Sequence, residues 1–293
     1  MSEKSTHQQY ITRNGTKTHY ELRGPDTGCL IVLLHGLGGS TRSFAPLLPL
    51  LPSQTHRILA VDFEGFGKSP LTDPSTPLSL ERYVADLDDL TAYVQRDDRS
   101  EEQDACARPI IFIGHSLGSI VALHYAAKRP SEVGGLALLG VGRSASHVAA
   151  AKIRMLALAA TVRSQGIDAA ADIASSSNFP SGDETTAAMR REVQKMVQAG
   201  DPEAYAQICE VMVSPSHHDP DYAAITCPVA LIGGVDDVIS PLSRAEGLAP
   251  LFGGECTVDT VRGGHQPILS DLEGTHRAVM KLIDAVLLGK TDG

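Results

Sequence analysis

Short apolar runs recur at residues 30–34, 57–61, 110–113, 136–139, 228–232 and 255–259, each bounded by turn-forming residues and separated mostly by helix-like stretches. Continuous apolar runs alternating with helical segments predict a mainly parallel sheet covered by helices on both faces. Ahead of them, residues 8–11 and 18–22 read as two antiparallel strands around the turn Arg13-Asn14-Gly15-Thr16, which would form the leading edge of the sheet. Residues 80–94, 119–128 and 272–288 carry helical period, the last placing Val279, Leu282, Ile283 and Val286 on one stripe. Between the sixth strand and residue 228 the strand rhythm stops, and helices are predicted at 149–162, 184–198 and 202–213. An insertion there lies over the carboxyl ends of the strands, where open α/β sheets bind ligands, so a lid or cap is expected. The expected division is a core of residues 1–142 and 225–293 interrupted by a helical cap at 143–224. The charged stretch 97–104 is too poor in apolar residues to pack and reads as a solvated excursion.

The run Ile110-Ile111-Phe112-Ile113-Gly114-His115-Ser116-Leu117-Gly118 sets a serine inside G-x-S-x-G directly after a strand and before a helix. A strand that turns sharply into a helix passes close to itself, so small residues flank the turn and the serine hydroxyl projects from its tip. A serine alcohol is a poor nucleophile until an imidazole accepts its proton, and that imidazole needs an orienting carboxylate. Of 11 histidines, His265 is the best candidate, because it follows Gly263-Gly264 on the loop between the last strand and the last helix. His35 reads as structural, and His217-His218 as solvent-facing. Asp237 is the first candidate acid, in G-x-x-D-x-x-x-P counted from Gly234, with Pro241 opening the next helix; Asp236 is the second, one residue nearer the strand. Backbone N–H groups of Leu37, in the loop His35-Gly36-Leu37-Gly38, and of Leu117, at a helix start, are candidate oxyanion donors. That glycine loop lacks the Lys-Ser/Thr of a phosphate loop. Arg143, at the entry to the insertion, is a candidate partner for a substrate carboxylate.

Composition narrows the partners. A net charge of −10 disfavours nucleic acid and anionic membranes. Residues 1–9 lack the apolar core of a signal peptide and no stretch approaches the ~20 apolar residues of a span, so a cytoplasmic protein is expected. Five scattered cysteines without C-x-x-C spacing indicate neither a disulfide framework nor zinc. No metal or cofactor is expected, and a homodimer is left open.

Together, His35-Gly36-Leu37-Gly38, Asp62-Phe63-Glu64-Gly65-Phe66-Gly67-Lys68-Ser69, Gly114-His115-Ser116-Leu117-Gly118, Gly234-Val235-Asp236-Asp237 and Gly264-His265 resemble the α/β-hydrolase superfamily, in the family's order of Ser, Asp and His. The serine-nucleophile branch with 3-oxoadipate enol-lactonases, small-molecule esterases and ring-cleavage C–C hydrolases is the most similar. The resemblance implies an α/β-hydrolase fold with Ser116 as nucleophile, His265 as base then acid, Asp237 as orienter, Leu37 and Leu117 as oxyanion donors, and no metal. The sequence departs from familiar members at Gln266-Pro267, where many have an aromatic residue after the histidine, and in its lack of tryptophan. The expected activity is hydrolysis of a small carboxylic ester or lactone through an acyl-enzyme. Alternatives are C–C hydrolysis of a ring-cleavage diketone, a hydroxynitrile lyase using Lys152 or Lys195 as the cationic group, and a non-catalytic ligand receptor.

Overall fold

The protein is described by a computed structural model covering residues 6–25, 28–97, 109–180 and 187–288. Eight strands form one sheet: β1 (Thr6–Ile11), β2 (Lys17–Arg23), β3 (Leu30–Leu34), β4 (Arg57–Val61), β5 (Ile110–His115), β6 (Val133–Leu139), β7 (Val229–Gly234) and β8 (Cys256–Val261). Their spatial order is β1-β2-β4-β3-β5-β6-β7-β8, antiparallel from β1 through the β2–β4 pair and parallel everywhere else. The order reverses between β3 and β5, so the loops leaving those two strands diverge and open the crevice in which such sheets place ligands.

Among the described residues, α1 (Leu80–Asp97), α2 (Leu117–Lys128), α7 (Leu242–Leu248), α8 (Pro267–Ser270) and α9 (Leu272–Leu288) accompany the strands. Between β6 and β7 stand α3 (Ala149–Gln165), α4 (Ile167–Ser177), α5 (Ala187–Gln198) and α6 (Pro202–Met212). The apolar runs do not alternate because both sheet faces are covered. Leu30, Val32, Leu34, Ile110 and Phe112 join one core with α1 and α2, while Ile31, Leu33, Ile111 and Ile113 join another with α9.

Some elements differ from the expectation. β6 starts three residues early, through Gly134-Gly135, and the reason is packing: a Cβ on Gly135 would stand 2.7 Å from Val286 Cγ2, so glycine admits α9 against the strand. Helix α4 was hidden in a Ser- and Ala-rich stretch. It is set off from α3 by Gly166 at φ +86°. Pro241 caps α7 instead of opening it. Residues 98–104 of the charged stretch, and residues 184–186 of the expected second insertion helix, lie outside the described residues.

The helices between β6 and β7 rest on the loops at the carboxyl ends of the strands. Asp201 N–H donates to Gly65 O at 2.9 Å, Leu78 N–H to Gln207 Oε1 at 2.9 Å, and His265 N–H to Asn178 O at 2.8 Å. At Gly65, with φ +85°, a Cβ would fall 2.1 Å from Ala204 Cβ, so this glycine sets how closely α6 approaches. No helix among the described residues is long and apolar enough to cross a membrane.

Candidate active site

Ser116 is the only described non-glycine residue with positive φ, at +49°. It precedes α2 in the N-cap position, where a serine ordinarily turns its hydroxyl onto the helix's free N–H groups. Here ψ is −108° and no side-chain cap bond forms, so Oγ is left for other partners. The sharp turn depends on its glycines: a Cβ on Gly114 would stand 2.7 Å from Gly118 O, and one on Gly118 2.1 Å from Leu34 O. Ser116 N–H donates to Leu139 O at 2.9 Å, and Ser119 Oγ accepts from Gly142 N–H at 3.0 Å, fixing the turn to β6 and the loop after it.

Three residues from distant loops converge. His265 Nε2 lies 3.0 Å from Ser116 Oγ and its Nδ1 lies 2.8 Å from Asp237 Oδ2. A carboxylate only accepts, so Nδ1 carries the proton and the Nε2 lone pair faces the serine hydroxyl. Asp237 Oδ1 accepts backbone N–H groups from Ile239 and Ser240, each at 2.8 Å. Burial pushes the Asp237 pKa up, but the bonds from His265, Ser240 and Ile239 outweigh it and hold the carboxyl below its usual range. Asp236 is exposed, and only its backbone N–H is held, by Gly263 O at 2.9 Å. Gly140, at φ +53°, gives the imidazole room: a Cβ there would lie 3.0 Å from His265 Cε1.

The loop after β3 passes over this group, since a Cβ on Gly36 would lie 3.3 Å from Ser116 Cβ. His35 shapes that loop. Its Nδ1–H donates to Gly36 O at 2.8 Å while Nε2 accepts from Phe63 N–H at 3.0 Å, and burial lowers its pKa. Asp62 joins the same loops from below, with Oδ1 accepting from Thr41 N–H and Oδ2 accepting from Lys68 N–H at 2.9 Å and from His19 Nδ1 at 2.8 Å. Burial opposes its charge, yet these donors hold its pKa below the ordinary carboxylate value. Leu37, half-buried, follows Gly36 on this loop, and Leu117 opens α2 directly after Ser116.

Other candidates are placed differently. The carboxylate that Arg143 meets is the protein's own: its Nε lies 2.9 Å from Asp219 Oδ2, with Nη2 on the same oxygen. His217 is not solvent-facing as the sequence suggested. It is buried, with Nδ1 donating to Met212 O at 3.0 Å, because the chain after α6 folds back under it; His218 is exposed. Lys152 and Lys195 are exposed, and the cleft that Lys152 lines with Leu156, Val211 and His217 includes neither Ser116 nor His265, so Lys152 faces a different recess from the serine. Missing from the sequence reading were Asn178, which no pattern marked, and a role for His115, present in the motif but without assigned chemistry.

The depressed Asp62 and Asp237 carboxyls make a prediction for stability. Both are ionised more readily in the folded chain than in the unfolded one, so the stability they contribute is complete above the unfolded carboxylate pKa of about 3.9 and is lost as pH falls through the lower folded values. The buried His35 and His115, whose pKa values the fold lowers, lose their contribution as pH falls below the unfolded histidine value of about 6.5, so the urea midpoint is expected to decline already from about pH 7 and to drop further, as the two carboxyls protonate, below about pH 4. A midpoint that holds level or rises toward pH 3 contradicts these assignments.

Residues 31–278 match the sequence profile of the alpha/beta hydrolase family. The chain belongs to the alpha/beta hydrolase family. The superfamily resemblance carried by the five motifs is therefore correct, and the observed sheet is that of this fold. Among solved structures, this alpha/beta hydrolase superposes on a thermophilic esterase from Thermogutta terrifontis with a TM-score of 0.80, at 22% identity and covering 96% of this chain and 99% of the other. It superposes on the enol-lactonase from Burkholderia xenovorans LB400 with a TM-score of 0.79, at 21% identity and 94% and 100% coverage. Both are likenesses of fold. RutD of Stutzerimonas stutzeri, whose name proposes carbamate hydrolysis, is 30% identical over 275 residues, which is 87% of this chain and 92% of RutD. The chain spans less than half the length of the first curated relatives it matches, 46%, 33% and 41%.

Proposed function

We propose that this protein is a cofactor-free serine hydrolase that cleaves a carboxylic ester or lactone of a small molecule through an acyl-enzyme. The observation that carries the reading is the continuous chain from Ser116 Oγ through His265 to Asp237, at 3.0 and 2.8 Å, in an elbow whose serine leaves its capping bond unmade. As Oγ attacks the carbonyl carbon, its proton passes to His265 Nε2, and the carbonyl oxygen becomes an oxyanion facing the N–H groups of Leu37 and Leu117. Asp237 holds the imidazole in the accepting tautomer and stabilises the imidazolium. The imidazolium returns the proton to the departing alkoxide, and a water activated by the same base then releases the acid and restores Ser116. The helices of residues 143–224 serve as a cap over the serine, an arrangement supported by their bonds to the loops at Gly65, Leu78 and His265.

The test is a panel of short-chain esters, enol lactones and aromatic lactones assayed beside Ser116→Ala, with a vinylogous diketone and a simple carbamate included. The carbamate is there because of the similarity to RutD over 92% of that protein's length. Serine-dependent turnover of an ester or lactone is expected. Turnover confined to the diketone moves the assignment to C–C hydrolysis, and turnover confined to the carbamate to that acyl class. No turnover of any member overturns the reading.

A further inference from the structure

The backbone of His265 is held from both sides. Its N–H donates to Asn178 O at the end of α4 at 2.8 Å, and the next side chain adds a clasp, Gln266 Nε2 to Asn178 Oδ1 at 2.8 Å. Its C=O accepts from His115 Nε2 at 2.7 Å. We infer that His115, the residue preceding the nucleophile, is a positioning residue that locks the catalytic base to the elbow. The inference rests on the serine hydrolase reading of the site.

Two features make such a lock necessary. Gly263, at φ +87°, and Gly264 immediately precede His265, so the loop that carries the base has little stiffness of its own. The 3.0 Å separation from Ser116 Oγ is therefore set by what grips the loop. His115 is suited to grip it because it is rigidly placed, as the last residue of β5, and only 6% exposed. Its ring centroid lies 5.1 Å from that of His265. Its other nitrogen, Nδ1, is 2.8 Å from where a Cβ on Gly36 would stand, so the ring also packs against the loop that carries Leu37. One side chain thereby touches the nucleophile, base and oxyanion segments.

The protonation state follows from the bond. A carbonyl only accepts, so Nε2 bears a proton, and burial of the ring disfavours a second one on Nδ1, which keeps the ring neutral. Burial and, after it, the adjacent His265 push the His115 pKa down to about 3. When His265 takes the Ser116 proton and becomes a cation, its neighbour stays uncharged and does not oppose the step. A charged side chain at the same place would.

Three variants test the assignment on the full chain. His115→Gln keeps an amide donor at about the reach of Nε2, His115→Asn keeps the amide but falls short of the carbonyl, and His115→Phe keeps the ring without a donor. Displacing a reacting group by about 1 Å can cost on the order of 100-fold. We expect kcat, and the rate of covalent labelling by a fluorophosphonate, to fall about 10- to 100-fold in His115→Asn and His115→Phe, with KM changed less than about threefold. His115→Gln is expected to recover most of both, and the acid limb of the kcat/KM–pH profile to stay in place in all three. Circular dichroism and thermal melting establish that each is folded; should His115→Phe not fold, the comparison of Asn with Gln decides. Equal rates in Gln and Asn, or a displaced acid limb, overturn the positioning role. Wild-type protein that the fluorophosphonate does not label overturns the hydrolase reading itself, an outcome distinct from labelling that the variants leave unchanged.

Discussion

Ser116→Ala is expected to lower kcat for the substrate found in the panel by at least about 10⁴-fold, with KM changed little. Removing the nucleophile of such a triad leaves only oxyanion stabilisation and binding, the residual found when any member of the unit is lost. The fold is expected to survive, because alanine inherits the same φ of +49° and loses no capping bond. A companion variant separates chemistry from strain. Residues held in sparsely populated backbone regions cost about 1–3 kcal/mol, a cost that glycine does not bear. Ser116→Gly is therefore expected to be as inactive as Ser116→Ala and yet more stable than it in urea by roughly 1 kcal/mol. If Ser116→Ala keeps activity within tenfold of wild type, another residue is the nucleophile. If Ser116→Gly is the less stable of the two, the elbow is not strained.

Asp237→Asn is expected to cost about 10⁴-fold in kcat, while Asp236→Asn remains within about threefold of wild type. The loss at 237 comes from the tautomer. An asparagine amide presented to Nδ1 can donate, which favours the proton on Nε2, where it blocks acceptance from Ser116; the same change in the serine protease triad has an effect of this size. Asp236 is exposed, and its backbone N–H, which bonds Gly263 O, is untouched by the substitution. The measurement is kcat for both variants on one substrate, with thermal melting of each. Comparable losses at 236 and 237 would show that the acid is shared or misassigned, and a large loss at 236 alone would exchange the two roles.

How much was legible in the chain depends on how local the cause is. The strands at 30–34 and 57–61 stand where the apolar runs predicted them, because strands buried on both faces demand unbroken apolar residues. The elbow was legible for the same reason: Gly114 and Gly118 are required within five residues of one another by contacts that the turn makes with itself and with the adjacent β3. Helix α4 was not legible, since its Ser- and Ala-rich surface makes it a helix through packing against the neighbouring insertion helices more than through any pattern of its own. Nor was the burial of His217, which depends on how the chain returns beneath α6.

By itself the sequence determined the α/β architecture, the strained turn at Ser116 and the three residue types that the chemistry needs, because each is enforced by neighbours a few positions away. Between Asp236 and Asp237 it could rank but not choose. Which carboxylate meets His265, which charge Arg143 answers, and what grips the base loop were decided only by the tertiary structure. Those outcomes depend on distances between segments 28 to 150 residues apart in the chain. A hydrogen bond is made or lost over a few tenths of an ångström, and no local pattern fixes that interval between residues so far apart.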